Sequence, residues 1–450
     1  MAQQQIAASI FNVTLRARMA ALIPLAILAT VLATAPTAEA QTFQVIHSFT
    51  GGATGYIPSS GVVLDQAGSL YGVTAYGGNY TSSCNYVGTQ TGCGVVYKLS
   101  RHGSGWAYNV LSSFDGANGY NPGQLITVAP DGSVYGTTYW GGSGHCHDFG
   151  PGCGTIFRLQ PPATFCGSVS CPWSISDLHQ FLGGASDGAF PEVGSLTIDS
   201  AGNFYGTTFG GGLYDEGTVY QLSPTADGWT MSVLDNLSGT NGQGPDGGVV
   251  FDNAGNLYGV TMEGGNLDCD EDPSGCGVIY QLTRTESGWA EHVLHSFNAE
   301  TDGVYPSGNP VIDRSGNVYG ETESYGPNSG GTVWELSPGN GGWTFSVLYS
   351  FPDGPGTGPY GGLLLDRAGN LYGTAINDGA HQYGSVFKLS PSANGWIYTD
   401  LHDFTGGSDG GIPYSSVSMD SNGNLFGVTE VGGSSQNCAS GCGVVWEITP

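Results

Sequence analysis

Phe43-Gln44-Val45-Ile46-His47-Ser48-Phe49 is a strand-like run that precedes the first complete unit of a repeat, while the last unit stops at Pro450 one strand short. The surplus at one end matches the deficit at the other. The repeat centres on Leu70-Tyr71-Gly72-Val73-Thr74, and its aromatic returns at Tyr135, Tyr205, Tyr258, Tyr319, Tyr372 and Phe426, at intervals of 64, 70, 53, 61, 53 and 54 residues. A regular period of this length marks a repeat architecture.

Three flanking elements recur with each centre. Upstream, a short apolar run ends in a turn: Val62 to Gly68, then Asp199 to Asn203, Asp252 to Asn256, Asp313 to Asn317, Asp366 to Asn370 and Asp420 to Asn424. Asp opens such a turn by accepting backbone hydrogen bonds, and Gly takes its left-handed position. The pattern lacks the alternating ligands and distal Glu of a calcium loop. Downstream, a strand starts at Gly94, Gly154, Gly217, Gly277, Gly331, Gly384 and Gly443. A fourth element starts at Trp106, Trp173, Trp229, Trp289, Trp343 or Trp396 and ends near Phe114, Phe181, Leu237, Phe297, Phe351 or Phe404.

Seven four-stranded units, with residues 42–49 supplying the fourth strand of the last, predict an all-β, seven-bladed propeller closed by its own N-terminal strand. Closure removes two open sheet edges, whereas a linear solenoid or paired sandwiches would need caps. The expected blades span about 60–114, 124–182, 194–237, 248–297, 308–351, 361–404 and 415–450, in one domain over 41–450.

Residues 1–40 read as a secretory signal peptide: Arg16 and Arg18, an apolar stretch from Met19 to Thr34, and Ala38-Glu39-Ala40 as a cleavage site. The stretch is shorter than the ~20 residues of a membrane span and contains Pro24. The mature chain is expected to be secreted or periplasmic, and monomeric. Nine Lys and Arg face 37 Asp and Glu, a net charge of −28. Such a surface argues against nucleic acid and anionic membranes and leaves cations and neutral ligands open. Ten cysteines fall into local pairs, Cys84 with Cys93, Cys146 with Cys153, Cys166 with Cys171, Cys269 with Cys276 and Cys438 with Cys442, expected as disulfides; none has Cys-x-x-Cys zinc spacing.

The set D-x-x-G-N-[LV]-Y-G-x-T, G-[TV]-V-[YFW]-x-L and V-L-x-S-F resembles the GloVer-type tandem repeat of exported bacterial proteins, over essentially all of Gln41 to Pro450. The resemblance implies propeller-like repeats with no assigned activity, commonly with a C-terminal surface anchor. This sequence ends on the repeat itself, so release is expected over anchoring.

The long loops follow the second strands and join blade to blade, so a site is expected on the face they share. Crossover carboxylates Asp115, Asp187, Asp302, Asp353 and Asp409 would form a ring able to hold calcium, or serve only as Asp-Gly turns. His47, His179, His295 and His402 occupy one repeat column and read as structural. His145, His147 and His381 lie in variable loops, where His145-Cys146-His147-Asp148 is a weak transition-metal candidate. Glu321 and Glu323 break the repeat and share a strand face, a weak catalytic pair or else solvated strand-end carboxylates. Tyr76, Tyr139, Trp140, Phe209 and Tyr325 are the candidate ligand-binding aromatics, suited to sugar faces. The expected function is a non-enzymatic binding or surface-interaction module, with extracellular glycan the first ligand to test. A polysaccharide lyase or glycoside hydrolase, and a pure scaffold, stand as alternatives.

Overall fold

The computed structural model describes residues 41–450 apart from 82–83, 87–88, 124, 147–151, 163–171, 192–193, 267–268, 270–273 and 353–357. Residues 1–40, with the expected signal peptide, lie outside the described residues, as do Asp353 and His147. Cys166 and Cys171, expected as a fifth disulfide, also lie outside the described residues. Within Phe43–Thr449 the chain forms one compact unit of seven antiparallel blades. No helix among the described residues is long and apolar enough to cross a membrane.

Blade four shows the plan: Val250–Phe251, Leu257–Thr261, Val278–Thr285 and Gly288–Ser296 pair in sequence order. Its second strand is buried at every residue, and its third alternates buried with half-buried positions before reaching solvent. The outermost strand carries a register shift between Ile279 and Tyr280, and the same irregularity recurs in blades one to three, five and six. Blade two has a fifth strand, Tyr120–Pro122, and blade five opens on a nine-residue strand, Val304–Ile312.

The D-x-x-G-N segments are hairpin turns. Asp252 Oδ1 accepts from the amides of Ala254 and Asn256, and its Oδ2 accepts from Asn256 Nδ2 at 2.8 Å and Tyr258 Oη at 3.2 Å. The repeat's Asp, Asn and Tyr therefore form one bonded unit, which explains why all three recur. Aspartates 199, 313 and 366 bond in the same way.

Closure is as the ends of the sequence imply. Thr42–Ser48 lies beside Val444–Thr449 as the outermost strand of blade seven. Phe49 donates its amide to Gly443 O at 3.0 Å, and Gln44 Nε2 donates to the buried Glu447 at 2.7 Å. Glu447 also accepts from Arg101 of blade one. Gly443 has φ +89°, and a Cβ there would meet Pro58 Cδ at 2.5 Å. The equivalent glycines at 94, 154, 217, 277 and 384 each abut the next blade's crossover proline. The glycine that opens the third strand is thus the seat of an interblade contact, and Gly443 with Pro58 completes the circle.

Candidate functional site

Crossovers and second-to-third loops share one face, the crossover face; the hairpin turns share the other, the turn face. Among the described residues three clefts open on the crossover face. Two flank the Cys438–Cys442 loop, with volumes of about 760 and 630 Å³. The third, about 430 Å³, lies where blades two, three and four meet. Disulfides Cys84–Cys93, Cys146–Cys153 and Cys269–Cys276 staple the same loops. Four of the five expected disulfides are therefore present among the described residues. The fifth, between Cys166 and Cys171, is not among them, since Cys171 and Cys166 both fall in the undescribed stretch 163–171.

The third cleft brings together three of the five expected aromatics. Tyr139, Trp140 and Phe209 line it with Phe190, and beside them stand Asp215, Glu216, Gln243 and Glu263. Tyr139 packs on Phe190 at 5.2 Å between ring centroids, and Trp140 on Phe190 at 4.9 Å. Phe190 has φ +59° immediately before Pro191, a conformation that a bulky pre-proline residue resists. Ile57, Asn121, Tyr305 and Ile412 hold the same conformation before their own prolines, so this strain belongs to the architecture.

The other two aromatics lie elsewhere. Tyr76 stacks near Tyr56 at 5.6 Å and Tyr325 packs against the core between blades four and five. Trp140 is itself a core residue, 6% exposed, because alternation along Val134–Trp140 turns it opposite to Tyr139. The five candidate aromatics therefore do not form one site, and a single cleft has Tyr139, Phe190 and Phe209 at its surface.

Glu321 and Glu323 point toward the next blade from the second strand of blade five, Val318–Ser324. Glu321 is fully buried where other blades carry Val73, Thr137, Thr207, Val260, Thr374 and Val428. Its Oε1 accepts from the Gly362 amide at 2.6 Å, while Oε2 has no partner. Burial pushes its pKa up to about 8. The expectation of solvated strand-end carboxylates fails for Glu321 because the second strand runs inside the ring, between blades.

Glu323 is half-buried. Its repeat position is held by Tyr139, Phe209 and Glu430 in other blades, so two cleft aromatics and two carboxylates share one column. Asp246, Ser307, Tyr360 and Tyr414 occupy a second column, just after the crossover prolines. Tyr360 Oη donates to Asp246 Oδ2 at 2.9 Å, reaching across blade five, and its ring lies 4.0 Å from that of Tyr414. Burial raises Asp246 and Glu430 to about 7, with Glu323 adding to the effect on Asp246. Glu323 is raised by burial as well. Asp246, Glu430 and the tyrosines were not singled out from sequence. Alignment of the two columns across all blades carries that signal.

The crossover aspartates Asp115, Asp187, Asp302 and Asp409, read as a possible cation ring or as Asp-Gly turns, bond within their own loops. His179 Nε2 lies 3.1 Å from Asp187, His295 Nε2 2.9 Å from Asp302 and His402 Nε2 3.4 Å from Asp409. Asp115 accepts from the amides of Ala117 and Asn118. The histidine column and the aspartate column are thus one structural pairing. His47 has no such aspartate; it stacks on Tyr108 at 4.1 Å, and burial lowers its pKa to about 4. Among the described residues no three His, Cys, Asp or Glu side chains gather as a metal group.

The Gloeobacter/Verrucomicrobia repeat matches residues 35–269 and again 269–450. The chain belongs to this repeat family. No curated protein matches it. Among solved structures, this Gloeobacter/Verrucomicrobia repeat protein is similar to a fungal alcohol oxidase of the AA5 family in complex with copper, at 13% identity over 92% of this chain and 77% of that one, with a TM-score of 0.51. A gluconolactonase from Xanthomonas campestris matches at 12% identity over 89% and 98% of the two chains, TM-score 0.40. The nidogen/laminin complex matches at 16% over 69% and 91%, TM-score 0.40. At 13% identity the likeness to the alcohol oxidase is one of fold alone, and folds of this kind host unrelated functions.

Proposed function

We propose that this repeat protein is an exported, non-enzymatic glycan-binding module whose ligand lies across the crossover face. The observation that carries the reading is the 430 Å³ cleft in which Tyr139, Phe190 and Phe209 stand beside Asp215, Glu216, Gln243 and Glu263. Sugar rings present apolar faces that stack on aromatic side chains and hydroxyls that donate to carboxylates and amides, so a cleft of this composition suits them. Four disulfides fit an oxidising compartment, in keeping with export. The enzyme alternative loses its pair: Glu321 is sealed between blades, where no polymer reaches it. A glycan panel with wild type and a Tyr139→Ala, Phe209→Ala variant tests the proposal. Binding should fall about tenfold or more in the variant while its melting temperature holds; equal binding by both proteins, or none by either, contradicts it.

A further inference from the structure

The third strand of each blade opens on a glycine, and the residue just before it separates the blades into two kinds. Cys93, Cys153, Cys276 and Cys442 hold that position in blades one, two, four and seven, fully buried in disulfides. Blades three and six carry Glu216 and Tyr383 there instead. Glu216 lines the aromatic cleft described above, and Tyr383 lines the cleft of about 630 Å³ beside the Cys438–Cys442 loop. A position freed from the disulfide thus twice becomes the wall of a cleft.

Tyr383 is fixed on one side and open on the other. A Cβ on Gly406 would meet three carbons of its ring at 2.6 Å, so the ring lies face-on against that crossover glycine. In blade seven the sulfurs of Cys438 and Cys442 cover Gly51 in the same way, 3.6 Å from such a Cβ. The amide of Ile412 donates to Tyr383 O at 2.7 Å, yet the side chain remains 43% exposed. Tyr80, 47% exposed, lines the cleft of about 760 Å³ on the other flank of the loop, together with Tyr56. The exposed tyrosines among the described residues are Tyr80, Tyr214 and Tyr383, and all three lie in second-to-third loops of the crossover face.

The ridge between the two clefts is Cys438 to Gly441, which lines both. Its disulfide, the bond from Asn437 Nδ2 to Thr50 O at 2.8 Å and the bond from the Gly432 amide to Ser440 O at 2.8 Å hold it in place. No Asp, Glu, Lys, Arg or His lines either cleft, in a chain whose net charge is −28. The aromatic cleft, by contrast, has Asp215, Glu216 and Glu263. Asn437, Ser440 and Gln436 leave only neutral donors and acceptors beside the rings. A charged ligand would lose water there and gain no counter-charge.

We propose that these two clefts form a second glycan site, for uncharged sugar units, with one ring on Tyr80, another on Tyr383 and the chain crossing the exposed Ala439 and Ser440. The inference rests on the glycan-binding reading and adds a site to it. Sugar rings stack on the open tyrosine faces, and their hydroxyls bond the neutral amides and hydroxyls. Such bonds are weaker than those to carboxylates, so this site is the weaker of the two.

Calorimetric titration of the intact mature protein with β1,4-linked hexamers of glucose, mannose and xylose tests this. At least one hexamer should fill two sites per chain, the second weaker by about tenfold or more. The Tyr139→Ala, Phe209→Ala variant should keep only the weaker site, and a Tyr80→Ala, Tyr383→Ala variant only the tighter one. Tyr80→Phe, Tyr383→Phe keeps the stacking faces and should keep both. Ser440→Trp, which blocks the ridge from an exposed position and leaves Tyr383 packed on Gly406, should also remove the weaker site. A single site in wild type, lost with Tyr139 and Phe209, overturns the inference and leaves the glycan reading standing. A weaker site that survives both Tyr80→Ala, Tyr383→Ala and Ser440→Trp does the same. A galacturonate hexamer or a proline decamer that binds at Tyr80 and Tyr383 more tightly than the neutral hexamers overturns the ligand class. If none of these neutral hexamers binds while another glycan does, the inference falls alone. If no glycan binds at all, both fall.

Discussion

The turn face and the crossover face are made from the same seven repeats, yet they use carboxylates in opposite ways. At the turn face Asp65, Asp131, Asp199, Asp252 and Asp366 accept backbone amides and side-chain donors, and these bonds hold their pKa values below the usual carboxylate range despite partial burial. Inside the ring the buried Asp246 and Glu321 and the half-buried Glu430 have few donors and are pushed up to between about 7 and 8. The first group reports what the repeat needs in order to fold. The second is what the chain keeps although folding does not need it, because sister blades carry Val, Thr, Ser or Ala at the same positions.

The largest effect should come from breaking what both faces share, the closed ring. Deletion of residues 43–49 removes the outermost strand of blade seven along with the Gln44 and Phe49 bonds, and Gly443→Val drives a side chain into Pro58 from a left-handed backbone. Each should destabilise by about 3 kcal/mol or more, read as a lowered, still cooperative melting transition. A deletion variant that melts like wild type would refute the clasp.

Next in size is Glu321→Val, which replaces a buried carboxyl by the residue found in blades one, four and seven. It should raise stability by roughly 1–4 kcal/mol at alkaline pH, measured by urea denaturation. The sign follows from linkage: a carboxyl whose folded pKa lies above its unfolded value of ~4 favours folding while protonated, and that contribution is lost as pH rises through about 8. Wild type should therefore weaken progressively between about pH 4 and about pH 8 and level off above it, and the variant should weaken less; an unchanged slope would contradict a buried carboxyl at this position.

The turn face has the opposite sign. Asp252→Ala should cost about 1–2 kcal/mol at neutral pH, and the difference from wild type should vanish in acid, as the depressed aspartate is protonated below the unfolded carboxylate range. His47 adds to acid sensitivity, since its folded pKa of about 4 lies below the unfolded value of ~6.5 and the stability it contributes is lost as pH falls between them. His47→Phe, keeping the stack on Tyr108, should flatten that limb. Each difference is read from melting temperature against pH.

Much of this division was legible in the sequence. Seven copies, the D-x-x-G-N turns and the displaced strand sufficed for the ring, because a repeat states its packing several times over. Glu321 and Glu323 stood out as departures from that consensus. What escaped was direction. Tyr139 and Trp140 are adjacent and equally aromatic, but the pleat sends one to a cleft and the other to the core. Asp246 and Glu430 lie almost two hundred residues apart, and only the fold brings both near Tyr414. The crossover aspartates suggested a cation because their histidine partners belong to a separate repeat column, seven or eight residues earlier.

The central claim is that ligand meets the crossover face alone. Side-chain footprinting by hydroxyl radicals, with and without a glycan drawn from the binding panel, tests it most directly. Protection is expected at Tyr139, Phe190 and Phe209, with Tyr319 and Leu365 in the turn-face cleft unchanged. Protection of Tyr319 and Leu365 without change at Tyr139 and Phe209 would contradict it.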